Sequence, residues 1–292
     1  MKLFKYFYIL FIGLSLSANG QKKNPNNTLL WEISGKELIK PSYLFGTYHF
    51  ADKGFVDTMK VLNEKLAAAD VIVGEVIMDQ TMALKLMPFM LMKNNTLDQL
   101  LSEKEYLLVD NYLKKLGKYN IKMFNTFSPM ALQTFILQFT SPKTFTATNP
   151  AIDQYFQDYS KENKKELIGL ETIEEQGVAL FSSSLQRQKE MLVKFIKQEK
   201  KNKKVAEKLY TDYISQNLTA TEKTFAKLDD FTPEEADRLL KNRNEKWLQK
   251  LPKLMQNKSL FIAVGAGHLV GKDGLITRLK AMGYEVKPLA TD

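Results

Sequence analysis

The sequence predicts an α/β protein: a mixed sheet built from βαβ-like units, with a large helical insertion. Three observations carry that prediction. Short apolar runs with strand character, Tyr43-Leu44-Phe45, Val71-Ile72-Val73, Leu167-Ile168 and Leu260 to Val264, are separated by stretches with helical spacing, and strands that alternate with helices point to parallel pairing. From about residue 78 to 142 strand signals are missing and apolar helical segments take their place. Two of the strands also run into one four-residue pattern, Gly46-Thr47-Tyr48-His49 and Gly265-Ala266-Gly267-His268, which holds the only two histidines of the 292 residues.

Leu29 to Ser34 alternates like a strand and, with Gly35-Lys36 behind it, is expected to form a hairpin with Tyr43 to Gly46. Asp57 is expected to start a helix whose apolar positions are Met59, Val61, Leu62 and Leu66. Asp70 to Val76 reads as a strand buried on both faces, so strand, helix and strand make a βαβ unit with parallel pairing and a right-handed crossover. Met82 to Met92 carries four methionines around Pro88. It is either a core helix with Met as filler or an adaptable binding surface. Amphipathic Asp98 to Leu116 and apolar Pro129 to Phe139 complete the helical region, which is expected to cap the carboxyl end of the sheet. A helix over Ile152 to Lys161 leads into the strand Glu166 to Leu170. Helices over Glu174 to about Tyr213 and Pro233 to Leu254 precede the closing strand, turn, helix and strand, Leu260 to Val286. With no low-complexity linker, residues 21–292 are expected to form a single domain.

Residues 1–20 read as an export signal. Lys2 and Lys5 precede an apolar stretch, Tyr6 to Leu16, and Ser17-Ala18-Asn19-Gly20 offers small residues before a cut at Gln21. The stretch is shorter than the ~20 residues of a membrane span, so the cleaved protein is expected to be periplasmic or secreted, with no stable membrane span. The chain has no cysteine. That excludes thiol catalysis, thiolate metal sites and lipid attachment at an N-terminal cysteine, and leaves stability to core burial. The net charge of +9 is mostly scattered lysine. Without interleaved arginine and aromatics it does not suggest a nucleic-acid partner.

The histidines mark the candidate site. A glycine straight after a strand permits a sharp turn, and ligands of open α/β sheets bind at the carboxyl ends of the strands. A lone histidine there is ordinarily a hydrogen-bonded structural residue; the repeated pattern argues for one shared site. Two acids stand in the same position, Glu75 after Val71-Ile72-Val73-Gly74 and Glu171 after Leu167-Ile168-Gly169-Leu170. A carboxylate there is costly to bury unless paired, although Glu171 also suits the start of the helix that follows. His49, Glu75, Glu171 and His268 form an N/O donor set without sulfur, suited to Zn, Mn, Fe or Co and to an activated water. Without a metal the same groups are a His–Glu general-base system.

The chain resembles the TraB/GumN family, which includes pheromone-shutdown proteins and the Tiki-type metalloproteases. The resemblance rests on Tyr43 to His49, the Glu75 strand, Ile152-Asp153-Gln154-Tyr155-Phe156, Gly169-Leu170-Glu171-Thr172 with Glu174-Glu175-Gln176, Arg243-Asn244 with Trp247, and Ala263 to Gly271. It implies a Tiki/TraB-like α/β fold with both histidine patterns and the strand-end glutamate at the centre, and a divalent metal held by His49, His268 and Glu75. Glu75, Glu171, Arg243 and Asn244 are then the catalytic candidates. Arg243 either clamps a substrate carboxylate or holds Glu75 or Glu171. Where the family often has a small aliphatic residue before its first histidine, this chain has Tyr48, which crowds the site or adds a hydrogen-bond donor or ligand. The expected function is a metal-dependent hydrolase, first of all a peptidase, that acts outside the cytoplasm on a peptide or small-molecule substrate. The alternative is a non-catalytic metal-, haem- or peptide-binding protein that uses the same paired site.

Overall fold

The structure, a computed structural model, describes residues 27–140, 145, 146, 148–225 and 231–292. The expected export signal and the last two residues of the expected insertion lie outside them. The chain is α/β, with one mixed sheet of six strands in the order β4-β3-β5-β2-β1-β6.

The expected hairpin forms from β1 (Leu30–Ser34) and β2 (Ser42–Thr47), paired antiparallel. Gly35, Lys36 and Glu37 between them all take positive φ. Asp52 caps α1 (Lys53–Asp57), accepting from the Phe55 N–H. Asp57 therefore ends a helix instead of starting one, and α2 (Lys60–Ala68) follows. Beyond β3 (Val71–Gly74) come α3 (Met82–Met90), α4 (Leu97–Leu100), α5 (Glu103–Leu116), a 3-10 turn at Ile121–Phe124 and α6 (Pro129–Thr140). Asp98 to Leu116 is not one helix, because Ser102 and Glu105 form a reciprocal capping box that starts a new one. No residue of α3 is fully buried, so the methionine-rich helix is not core filler.

The chain continues through α7 (Ile152–Glu162), β4 (Glu166–Gly169), α8 (Ile173–Phe181), α9 (Leu185–Lys197), α10 (Glu199–Ile214), α11 (Leu218–Phe225) and α12 (Pro233–Ala236). A π-helical turn, Asp237–Lys241, separates α12 from α13 (Asn242–Met255). Last come β5 (Leu260–Gly265), a 3-10 turn over Ala266–His268, α14 (Leu275–Ala281) and β6 (Glu285–Leu289), which pairs antiparallel with β1.

β5 lies between β2 and β3 and is parallel to both. The β2–helix–β3 unit is thus parallel as expected, but its strands are not neighbours. The late strand takes the central place because Leu260 to Val264 is fully apolar and buried, the composition a strand covered on both faces requires. The main core, including Phe45, Phe156, Phe261, Trp247 and Leu62, surrounds this sheet. A second core, built from α4, α5, the 3-10 turn, α6 and α9, includes Leu97, Leu113, Ile136 and Leu192. The packing of a middle helix, α9, into it means that the helical layer draws on residues well beyond 142.

Candidate active site

Four adjacent parallel strands end at one edge, and each delivers an ionisable side chain just past its end. In sheet order these are Glu171 after β4, Glu75 after β3, His268 after β5 and His49 after β2. Strand spacing of about 4.8 Å spreads four such positions over roughly 15 Å, so what joins them must reach sideways from another element. Arg243, in the first turn of α13, does so.

Every N–H of the Arg243 guanidinium is used. Its Nε donates to both oxygens of Glu171, at 3.1 and 3.0 Å, and Nη2 donates to Glu171 Oε1 at 2.7 Å and to Glu75 Oε2. Its Nη1 donates to the Leu239 carbonyl at 3.1 Å and faces His268 Nε2 at 3.0 Å. The other His268 nitrogen, Nδ1, lies 2.7 Å from Asn244 Oδ1, while Asn244 Nδ2 donates to the carbonyls of His268 and Asp273. With the amide donating twice through nitrogen, its oxygen must accept. His268 is therefore the Nδ1–H tautomer, and its Nε2 lone pair accepts from Arg243.

Gly265 N–H donates to Glu75 Oε1 at 2.8 Å, and Gln176 Nε2 lies 3.4 Å from Glu75 Oε2 and 3.3 Å from Glu171 Oε1. Trp247 completes the enclosure, its ring 4.4 Å from that of His268 and 4.9 Å from the guanidinium carbon. Glu171 is free to join because Thr172, not Glu171, caps α8.

The two pattern glycines have a different purpose from a sharp turn. Neither takes a positive φ. A Cβ on Gly46 would lie 3.1 Å from Ala266 Cα and from Leu269, and one on Gly265 would lie 3.2 Å from Glu75 Oε1. The first keeps the two histidine turns side by side, and the second lets the carboxylate reach the backbone.

His49 sits in a different environment. Its imidazole is 68% exposed, against 4% for His268. Asp153, on α7, accepts from His49 Nδ1 at 2.9 Å and from Thr47 Oγ1 at 2.7 Å. Among the described residues His49 Nε2 has no partner. The Asp153 charge raises the ring to about 9, so it is an imidazolium at neutral pH. Burial drives His268 down to about 3, with the charges of Arg243 and His49 adding to it against the pull of Glu75, and that ring is neutral. Burial works against the Glu75 carboxylate as well, but its positive neighbours, Arg243 among them, and the Gly265 N–H hold it at about 2.

The expected site residues thus gather in part. Glu75, Glu171, His268, Arg243 and Asn244 form one buried network, whereas His49 stands at the same edge with Asp153. Of the two roles read for Arg243, it has that of holding Glu75 and Glu171, and no N–H is left for a substrate carboxylate. Tyr48 packs against Tyr213 and Phe50, and burial, with Tyr210 adding to it, pushes its phenol up to about 12. That is unfavourable for a phenolate ligand. Asp153 and Gln176 have site contacts for which no local sequence pattern offers a physical reason, although both fall in the motifs that carry the family resemblance.

A match to the TraB/PrgY/gumN family extends over residues 29–288, nearly the whole chain. The chain belongs to the TraB/PrgY/gumN family. No curated protein and no solved structure matches it.

The donor types fit the divalent ion that the Tiki-type resemblance implies: one imidazole lone pair and two carboxylates point toward a common position. Among the described residues no three such side chains are arranged to take an ion directly. The guanidinium stands where they converge.

Proposed function

We propose that this TraB/PrgY/gumN family member is a hydrolase, a peptidase acting outside the cytoplasm with a divalent metal ion. One observation above all supports this reading: an exposed imidazole whose pKa Asp153 raises and a buried carboxylate held low in pKa stand past parallel strands of one sheet edge, where ligands bind. His268, Glu75 and Glu171 are the residues that would hold the ion, which would polarise a carbonyl and acidify a water when bound.

The chain's own residues supply the rest. Asp153 fixes the His49 ring with Nδ1 inward and Nε2 toward solvent. Its raised pKa gives His49 the character of a proton donor, and we assign it that role in place of metal ligation. Asn244 holds His268 in the tautomer whose Nε2 carries a lone pair. Glu75, the more exposed of the two carboxylates at 10% against 3%, takes the proton of the attacking water. The water oxygen bonds to the carbonyl carbon, the C–N bond breaks, and the departing nitrogen takes the His49 Nε2 proton. An open edge with His49 in solvent suits an extended polypeptide. Export is supported by the N-terminal sequence.

Purified protein incubated with a peptide library, with and without chelator, tests the reading, together with metal analysis. Expected are stoichiometric metal, chelator-sensitive cleavage, and no turnover by His49→Ala. Cleavage-free protein that nevertheless carries metal overturns the hydrolase reading and supports the second one, a non-catalytic metal-, haem- or peptide-binding protein. The internal saturation of Arg243 and His268 favours that second reading, because it leaves His49 as the sole histidine with a free nitrogen among the described residues.

A further inference from the structure

We infer that the Arg243 guanidinium is a built-in cation that occupies the metal position between Glu75, Glu171 and His268, so that a divalent ion enters only as Arg243 leaves. This rests on the metal-dependent reading above and adds a competition to it. A chelating ion needs the lone pairs of Glu75 Oε2, Glu171 Oε1 and His268 Nε2. Each already accepts from the same guanidinium. An arginine that only neutralised one carboxylate would not turn its third nitrogen to an imidazole lone pair.

Charge favours the exchange. Two carboxylates with one guanidinium leave one negative charge uncompensated, and two carboxylates with a divalent ion leave none. Asn244 accepts from His268 Nδ1–H, so the Nε2 lone pair already faces the position the ion would take. The π-helical turn Asp237–Lys241 directly precedes α13. Arg243 sits in the first turn of α13, so a change of its own rotamer carries the guanidinium off the carboxylates while Trp247, Leu251 and Met255 stay in the core. Leu239, whose carbonyl accepts from Arg243 Nη1, lies inside that turn.

The test is metal affinity, measured by titration calorimetry of untagged protein with Mn(II) and with Zn(II), for wild type, Arg243→Lys and Arg243→Ala. If the open state is populated at roughly 10% or less, removing the competitor tightens binding about tenfold or more. Arg243→Lys, whose single ammonium cannot span both carboxylates and the imidazole, is expected to fall between the other two. It also keeps the test available should Arg243→Ala fold only with metal. A second readout is Trp247 fluorescence in a Trp31→Phe background, which is expected to change on metal binding by the Arg243-containing protein as the cation leaves the ring. A third is the imidazole NMR signal of His268, one of only two in the chain, which Mn(II) is expected to broaden. Variants that bind no tighter than wild type overturn the competition, and the metal reading stands if wild type itself binds. No binding by any of the three overturns both. Binding by the variants alone supports the competition most strongly.

Discussion

His49 and His268 close the same four-residue pattern at the ends of adjacent parallel strands, yet they are opposite in physical state. His268 is enclosed by Trp247, Arg243 and Asn244, with both nitrogens engaged and its pKa driven down to about 3. His49 lies in solvent, tied by one nitrogen to Asp153 and raised to about 9. The difference comes from what approaches each turn from elsewhere in the chain: α13 covers the second, and among the described residues Asp153 of α7 is the hydrogen-bond partner of the first ring. A shared motif therefore placed two rings at one edge without giving them one chemistry. One is a neutral ring whose Nε2 lone pair faces Arg243, and the other is a charged ring held by Asp153.

The strongest way to break this comparison is to remove the residue that makes the buried half. In metal-free buffer, Arg243→Ala leaves Glu75 and Glu171 as neighbouring buried carboxylates, and removal of one partner of a buried ion pair typically costs about 3–5 kcal/mol. Urea unfolding is expected to show a loss of that size. A loss below about 1 kcal/mol would mean that the network is effectively solvated and that the contrast with His49 is overstated.

The second largest effect separates the two rings directly. The structure predicts that His49, and not His268, can be replaced with the fold largely intact. His268→Ala removes a buried ring packed on Trp247 and leaves Arg243 and Asn244 each short of a partner, so a loss of about 2–3 kcal/mol is expected. His49→Ala is expected to cost less than about 1 kcal/mol, as exposed ion pairs do. Equal losses in thermal unfolding would count against the assignment of one ring to the core and one to solvent.

pH sharpens the same contrast. His268 has a folded pKa below its ordinary 6.5, so its contribution is complete above 6.5 and is lost as pH falls from there toward 3, where the unfolded ring binds a proton that the folded ring refuses. The slope approaches about 1.4 kcal/mol per pH unit for one proton. His49 has a folded pKa above 6.5, and its smaller, solvent-screened contribution is present below 6.5 and lost as pH rises through about 9. Unfolding free energy against pH is expected to flatten on the acid side in His268→Gln and to keep its acid slope in His49→Gln. The reverse pattern would exchange the two assignments.

How much of this was legible in the sequence follows from what each feature depends on. The α/β class, the opening hairpin and the strand-end placement of His49, Glu75, Glu171 and His268 depend on local apolar runs and could be read. The central place of β5 depends on pairing across 189 positions with β3 (260 − 71) and 218 with β2 (261 − 43), which no local pattern encodes. Arg243 was visible only through the family resemblance. Its inward orientation follows a π-turn over Asp237–Lys241, a stretch whose helical pattern looks continuous with α13. Asp153 was likewise one acid in a helix. Only the fold brings it to His49, and its role depends on the one hydroxyl, Thr47, that occupies its other oxygen.

Asp153→Asn is expected to have the smallest effect on stability and the most specific effect on His49. The amide can still accept from Nδ1, so the ring keeps its orientation, but the negative charge that is the chief cause of the raised pKa is gone. Imidazole NMR should then show His49 titrating near its ordinary 6.5 instead of about 9, with the His268 signal moved far less, because burial is the chief cause of its lowered pKa and the His49 charge a minor one. Thr47→Val removes only the hydroxyl that steadies Asp153, and a smaller shift in the same direction is expected. Stability in both variants should change by no more than about 1 kcal/mol, given the exposure of His49. If cleavage is found, its alkaline limb should move down in pH with the His49 titration, because a proton donor works only while protonated. A His49 pKa unchanged by Asp153→Asn would assign the raised value to Glu75 and join the two halves of the edge into one titrating unit.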